Sequence, residues 1–205
     1  MNVCRKRIVF FGDSITEFGG RPNGWVTLII DALKRKCGSN APEVINAGVR
    51  GNKITDLQFR FERDVLSKKP TVVVIYIGIN DVWHFSLPGL KGTPKEDYES
   101  GLRDIIFRCK ASGASVILCT PSVIGEKKKG KNQHDKMLDE YAEISRRVAR
   151  ETRIQLCDLN RSFVDYLSGH NFKDDREGIL TVDGVHLNDE GNRFVSGIIL
   201  NAIGY

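Results

Sequence analysis

Four short segments, far apart in the sequence, carry the residue types that acyl transfer requires. They are GDSIT at residues 12–16, NAGVRGN at 46–52, GIND at 78–81 and DGVH at 183–186. A serine hydroxyl is a poor nucleophile until a base takes its proton. Ser14 is therefore the candidate nucleophile and His186 the candidate base, while Asp183 is placed to orient the imidazole and to stabilise its charge.

The tetrahedral intermediate of acyl transfer also needs hydrogen-bond donors aimed at its oxyanion. The backbone N–H of Ser14, the backbone N–H of Gly51 and the side-chain amide of Asn80 are the candidates in these segments. Gly48 lies close to Gly51 in the second segment, and either glycine could present the N–H.

The chain alternates between short apolar runs and longer amphipathic stretches. The apolar runs, at residues 7–11, 44–47, 71–77, 115–119 and, more weakly, 154–157, are rich in Val and Ile. Uninterrupted apolar runs are typical of parallel strands that are covered on both faces. Apolar residues at helical spacing predict amphipathic helices around residues 25–36, 54–65, 98–109, 138–148 and 194–202. Thr93 and Asn188 are the predicted N-caps of the third and the last helix.

Strand and helix alternate five times, which predicts βαβ units with right-handed crossovers. We therefore expect the α/β class: a three-layer α/β/α sandwich around a flavodoxin-like, five-stranded parallel sheet, in a single domain over residues 1–205. Ligands of such sheets bind beyond the carboxyl ends of the strands. The four polar segments can therefore meet at one edge of the sheet.

Taken together, the four segments resemble the four sequence blocks of the GDSL, or SGNH, hydrolase family, in the family's order and over almost the whole chain. The resemblance implies the SGNH hydrolase fold, esterase or lipase activity without metal or other cofactor, and a Ser-His-Asp triad. It assigns the nucleophile and one oxyanion N–H to Ser14, further oxyanion donors to Gly51 and Asn80, and the base and its orienting carboxylate to His186 and Asp183.

Smaller features qualify this resemblance. Ile15 stands where the family's name has Leu, a change of apolar shape. In some members of the family the aspartate is nearly dispensable, which leaves the weight of Asp183 open. The pair Gly24-Trp25 and the chain length are most similar to the isoamyl acetate-hydrolysing esterase branch.

Residues 82–92 form a long and unusually apolar connection after Asn80. Such a segment either folds onto the protein's own core or forms a wall of the substrate pocket. Trp83 and Phe85 are candidate substrate contacts, as is Asp13 beside the nucleophile, although Asp13 could equally bond the N–H groups of its loop. The run EKKKGK at residues 126–131 is interpreted as a solvated loop that could flank the same cleft.

Composition limits the partners and the compartment. The net charge of +5 is spread along the chain, and the basic run lacks the interleaved aromatic residues of a nucleic-acid surface. No apolar run reaches the length of a membrane span or of a signal-peptide core. The five cysteines are odd in number and lack CxxC spacing, which favours free thiols in a reducing compartment. We therefore expect a cytoplasmic protein whose partner is a small ester rather than a nucleic acid or a membrane.

The expected activity is serine-dependent hydrolysis of short-acyl carboxylic esters, such as acetyl esters of small alcohols or sugars. A lysophospholipase or acyl-thioesterase of the same family is the alternative, followed by a ligand-binding relative without turnover. A metal-dependent phosphoesterase built from Asp13, Asp81, Asp183 and His186 is opposed by the single histidine and by the lack of HxH or ExxH spacing. Cys119 as nucleophile is opposed by its apolar strand, which makes a thiol inert.

Overall fold

In the computed structural model, which describes residues 3–205, a five-stranded sheet forms the centre of the molecule. The strands are β1 (Arg7–Gly12), β2 (Glu43–Gly48), β3 (Val72–Tyr76), β4 (Ser115–Cys119) and β5 (Gln155–Cys157). All four pairings are parallel and the strand order is β2-β1-β3-β4-β5. This is the flavodoxin-like order, so the predicted sheet is confirmed.

Eight α-helices of the described chain surround the sheet. They are α1 (Ser14–Gly19), α2 (Trp25–Cys37), α3 (Ile54–Asp64), α4 (Ile79–Trp83), α5 (Lys95–Ala111), α6 (Asp135–Thr152), α7 (Leu159–His170) and α8 (Asp189–Ile203). Helices α2 and α8 pack together, with Phe163 of α7 against Phe194 of α8, while α5 packs against both α3 and α6. The two groups of helices are the outer layers of the predicted three-layer sandwich.

The predicted elements differ from the observed ones mainly at their ends. Asn188 caps α8 as predicted, because its side chain accepts a hydrogen bond from the N–H of Gly191 at 2.8 Å. The prediction of Thr93 as a cap was wrong: Thr93 is buried and donates its N–H to the carbonyl of Asp81 at 2.9 Å, and Pro94 takes the cap position. The short helices α1 and α4 were not predicted, since each is shorter than two turns.

Trp25 fixes the helix that carries Ser14 to the core. Its indole packs edge-on against Phe10 of β1, with 4.9 Å between the ring centroids, and its Nε1–H donates to the carbonyl of Ile15 at 2.9 Å. A side chain at Gly24 would come within 2.3 Å of the carbonyl oxygen of Gly19, so the chain turns tightly between α1 and α2. The glycine and tryptophan after the first segment therefore hold α1 at the end of β1.

Cys4 and Cys37 form a disulfide, with 5.7 Å between their Cα atoms, so the expectation of free thiols throughout was wrong. The other three cysteines are buried thiols. The pair is 33 residues apart and meets only because α2 returns the chain to the N-terminal segment, where Arg5 donates its N–H to the carbonyl of Asn40 at 2.8 Å. An odd number of cysteines does not exclude one such pair.

Within residues 3–205, no helix combines the length and the apolar character that crossing a bilayer requires.

We predict that reducing the Cys4–Cys37 bond lowers the free energy of unfolding by about 3–4 kcal/mol, because the bond restricts a long loop of the unfolded chain. Urea denaturation with and without reductant measures the change. The Cys4→Ser variant should unfold at the lower midpoint in both conditions. Equal midpoints for oxidised and fully reduced wild type would contradict the prediction.

Candidate active site

Ser14, His186 and Asp183 form a continuous chain of hydrogen bonds, which we call the relay. Ser14 Oγ lies 3.0 Å from His186 Nε2, although the two residues are 172 positions apart. On the other side of the imidazole, Nδ1 lies 2.7 Å from Asp183 Oδ2. Since a carboxylate oxygen accepts hydrogen bonds, the proton resides on Nδ1 and the lone pair of Nε2 faces the serine hydroxyl. The arrangement can remove the serine proton.

Asp183 is held by its own loop. Its Oδ1 accepts hydrogen bonds from the backbone N–H groups of Val185 and His186, at 2.9 and 2.8 Å. Partial burial alone would raise the pKa of the Asp183 carboxyl, but the hydrogen bonds from the imidazole and these N–H groups bring that pKa below its usual value. The group is therefore a carboxylate when the imidazole is neutral, and it can stabilise an imidazolium.

The imidazole of His186 lies between two aromatic side chains. The ring of Phe18 from α1 is 5.2 Å away and the indole of Trp83 from α4 is 6.4 Å away, measured between centroids. A cleft of about 350 Å³ opens beside the Phe18 and His186 side chains and is bordered by Arg21, whose guanidinium lies 3.7 Å from the centroid of the Phe18 ring. His186 and Asp183 are thus open to solvent at this cleft, whereas Ser14 is buried.

The geometry distinguishes between the two candidate glycines for the oxyanion. The N–H of Gly48 already donates to Asn46 Oδ1 at 2.9 Å, and a Cβ at Gly48 would lie 2.1 Å from the backbone nitrogen of Glu17. Gly51 has a φ of 75° and is exposed, and its N–H donates to no acceptor among residues 3–205. Gly48 thus serves the close packing of α1 on β2, and Gly51 is the glycine whose N–H is available.

Asn80 and Ser14 offer the other two donors. Asn80 is buried near the start of α4, and its Nδ2 uses one hydrogen to bond the carbonyl of Asn52 at 3.0 Å, which leaves the second. The N–H of Ser14 belongs to the first residue of α1, where a helix has no internal acceptor for it.

An ion pair fastens the turn that carries Gly51 to the helix that carries Ser14. The guanidinium of Arg50 contacts the carboxylate of Glu17 at 2.6 Å, and the backbone N–H of Arg50 donates to the same carboxylate at 2.6 Å. The hydrogen bond from the guanidinium lowers the pKa of Glu17 below its usual value. Because the second of these bonds comes from the backbone of Arg50, it holds the main chain of the turn next to Gly51 directly.

Arg60 is a functional support that the sequence did not reveal. It lies on α3, is only 6% exposed, and donates to the carbonyls of Gly12 and Ala47 at 2.7 and 2.9 Å and to Asn52 Oδ1 at 2.6 Å. Its charge is balanced by Asp64 at 2.8 Å. The guanidinium therefore ties together the carboxyl ends of β1 and β2 and the loop that follows β2.

Glu126 is the second support that the sequence did not reveal, and its assignment to a solvated loop was wrong. Its carboxylate is fully buried. It accepts hydrogen bonds from the N–H groups of Ile179, Leu180 and Thr181, each at 2.7 Å, and from the hydroxyl of Thr181 at 2.9 Å. Because every donor lies in the segment that leads to Asp183, the carboxylate fixes the segment that delivers the base.

Backbone contacts reinforce the same anchor. The N–H of Gly125 donates to the carbonyl of Gly184 at 2.7 Å, and the N–H of Glu126 donates to the carbonyl of Arg176 at 2.8 Å. Glu126 begins a run of four charged residues, where nothing in the local pattern distinguishes it from the exposed lysines that follow.

Of the three predicted substrate contacts, Trp83 is the one that lies next to the imidazole. Asp13 is 1% exposed, and its Oδ1 accepts the N–H of Ile15 at 3.0 Å as the N-cap of α1. Phe85 is half exposed, and its ring packs against Gly92. The buried position of Asp13 supports the structural role that was its alternative.

Two buried carboxyl groups lie beneath the site. Burial, together with the nearby charge of Asp81, raises the pKa of Asp13 to about 7 against the opposing hydrogen bond from the N–H of Ile15. Burial likewise raises the pKa of Asp81 to about 6, although its Oδ1 accepts the N–H of Ile54 at 3.1 Å. Across residues 3–205, no three His, Cys, Asp or Glu side chains group as metal ligands would.

We predict that Glu126→Gln reduces kcat for ester cleavage about tenfold or more and lowers the free energy of unfolding by about 1–3 kcal/mol. The amide places a donor against backbone N–H groups that need an acceptor, so the segment before His186 loses its register. Single-turnover kinetics and urea denaturation measure both effects. Glu177→Gln, at an exposed carboxylate of the same region, is the matched control. If the two variants behaved alike, the anchoring role of Glu126 would be wrong.

We predict that Asp13→Asn stabilises the protein at high pH and not at low pH. The pKa of Asp13 is near 3.8 in the unfolded chain and about 7 in the folded one, so the folded state binds the extra proton between these values. Wild-type stability is therefore lost as the pH rises through this window, by up to about 4 kcal/mol, and the uncharged asparagine escapes this loss.

Urea midpoints of both proteins at pH 4 and pH 8 test this pH dependence. Asp31→Asn, at an exposed aspartate, should show no such difference. A stability gain of equal size at both pH values would argue against a buried, mostly protonated Asp13.

Comparison with known proteins places the chain in a family. The model of the GDSL-like lipase/acylhydrolase family matches residues 10–194. An acetylxylan esterase of Geobacillus stearothermophilus is 31% identical, over 98% of this chain and 94% of its own length. The isoamyl acetate-hydrolyzing esterase 1 homolog of Rattus norvegicus is 29% identical, over 92% of this chain and 78% of its own length. The crystal structure of an acetyl xylan esterase, AlAXEase, has a TM-score of 0.93 at 43% identity and covers 96% of this chain and 98% of its own. The chain therefore belongs to the GDSL-like lipase/acylhydrolase family and is an ester hydrolase of that family.

Proposed function

We propose that the protein hydrolyses short-acyl carboxylic esters through a covalent acyl-enzyme on Ser14. The observation that carries the proposal is the relay in which Ser14 Oγ, the His186 imidazole and the Asp183 carboxylate are linked at 3.0 and 2.7 Å. Nucleophile, base and orienting carboxylate within hydrogen-bond reach are the arrangement that activates a serine.

The reaction follows from this geometry in two steps. Ser14 Oγ attacks the ester carbonyl while Nε2 of His186 takes its proton, and the new positive charge is stabilised by Asp183. The N–H groups of Ser14 and Gly51 and the amide of Asn80 receive the oxyanion. The imidazolium then gives its proton to the departing alcohol, and water repeats the sequence to release the acid.

The preferred substrates are acetyl esters of small alcohols or sugars. Two relatives support this choice, since one is named for acetylxylan and the other for isoamyl acetate. The open position of His186, which is reached through clefts rather than through a buried tunnel, suits an alcohol group of variable size. Acyl thioesters and lysophospholipids are the alternative substrates.

The cytoplasmic location stays a prediction, and the disulfide removes the main observation that supported it. That expectation depends on free cysteines, whereas Cys4 and Cys37 form a disulfide, a bond that persists in oxidising compartments.

We predict that Ser14→Ala lowers kcat/KM for p-nitrophenyl acetate by at least about a thousand-fold while the melting temperature changes little. The hydroxyl is the only group removed, and the Asp13 cap and the Trp25 anchor of α1 remain. Ser168→Ala on α7 controls for the loss of a serine hydroxyl at the surface.

Labelling by a fluorophosphonate separates turnover from mere binding. The wild type should be labelled and Ser14→Ala should not. A wild type that is neither labelled nor active would show a ligand-binding protein, and an active Ser14→Ala would eliminate the mechanism.

A second experiment compares esters of increasing acyl chain length with an acyl thioester. The value of kcat/KM should be highest for the acetate ester. A preference for long chains or for the thioester would select the alternatives.

A further inference from the structure

Beside the indole of Trp83 lies a second cleft, of about 370 Å³, that we call the lysine cleft. The side chains that define it are Trp83, Lys127, Lys131 and Arg176. Trp83 lines this cleft, and its indole centroid is 6.4 Å from the centroid of the His186 imidazole. A molecule whose ester is held at Ser14 can therefore extend past Trp83 into the lysine cleft.

The lysine cleft carries an uncompensated positive charge. Lys131 is paired with Asp174 at 2.6 Å, but the exposed side chains of Lys127 and Arg176 form no ion pair within residues 3–205. None of the described residues that line the cleft is acidic. Two cations that face one concave space without a carboxylate attract an anion to it.

Hydrogen bonds hold the backbone of the two unpaired cations, Lys127 and Arg176. The carbonyl of Arg176 accepts the N–H of Glu126 at 2.8 Å, and the N–H of Lys127 donates to Asn132 Oδ1 at 3.2 Å. Both residues are thus attached to the same buried anchor that positions His186. The backbone that carries the two cations therefore keeps a fixed position relative to the His186 segment, which supports a specificity site.

The polarity of the cleft identifies which part of an ester it receives. An apolar acyl chain gains nothing from a wall of ammonium and guanidinium groups, so the cleft suits the alcohol part. The indole of Trp83 offers a flat apolar surface for a sugar ring, and Gln133 offers an amide for a hydroxyl group. An acetylated sugar that also carries a carboxylate satisfies each of these features.

On the basis of the proposed function, we propose that the lysine cleft binds the carboxylate of an acidic sugar, and that the preferred substrates are acetyl esters of such sugars. The cleft selects among acetyl esters without taking part in the proton transfers. Exposed ion pairs contribute modestly, so two of them should give a preference of about tenfold in kcat/KM at low ionic strength.

The experiment compares two substrates that differ only at C6, which is a carboxylate in one and a hydroxymethyl group in the other: an acetylated methyl glucuronoside and the acetylated methyl glucoside with the same acetyl position. For the wild type at low salt, kcat/KM should be about tenfold higher for the acidic sugar, and the ratio should fall toward one as salt rises. The double variant Lys127→Gln/Arg176→Gln should bring the ratio close to one already at low salt.

Lys128→Gln is the matched control, because Lys128 is an exposed lysine of the same run that does not line this cleft. Its ratio should equal that of the wild type. A wild-type ratio of one, or a double variant that keeps the preference while its melting temperature is unchanged, would overturn the proposal. Failure of the proposed function is a different result, since neither sugar ester would then be cleaved.

Discussion

The site depends on a contact between a hydroxyl near the start of the chain and an imidazole near its end. The sheet meets half of this requirement, since β1 lies between β2 and β3 and ends next to Ser14, at the edge where ligands bind. A buried carboxylate holds the segment that carries His186. Glu126 receives four hydrogen bonds, three of them from backbone N–H groups, and so it fixes a stretch of main chain rather than one side chain. A buried charge that is satisfied in this way avoids the cost of an unpaired one.

Two aspartates of the site, Asp183 and Asp13, have pKa values that are shifted in opposite directions. Asp183 receives the imidazole and two N–H groups, and these donors outweigh its partial burial, so its pKa is lowered. Asp13 is fully buried with fewer donors and with another carboxyl nearby, so its pKa is raised. Burial therefore dominates the pKa of Asp13, whereas the hydrogen-bond donors dominate the pKa of Asp183.

The sequence predicted the sheet, the long helices and the meeting of Ser14 with His186, because all of these follow from local patterns. Apolar runs define strands, and turn residues that follow strands gather at one edge. Arg60 and Glu126 could not be predicted in this way. Each is a charged residue in a polar context, and its partners are distant backbone groups that no local spacing reveals. The pairing of Cys4 with Cys37 was missed for the same reason, since the contact exists only after α2 has packed.

The long sequence separation between Ser14 and His186 affects when activity can appear during folding. Because Ser14 and His186 are 172 positions apart in the sequence, their contact closes one of the longest loops that the chain can form. Contacts of this kind form late, after local structure has reduced the entropy of closing the loop. When the ribosome has made the chain as far as Gly51, the segment that carries His186 has yet to be synthesised. Under the proposed mechanism, esterase activity is therefore a reporter of the completed tertiary structure, since a fragment without the last thirty residues lacks His186.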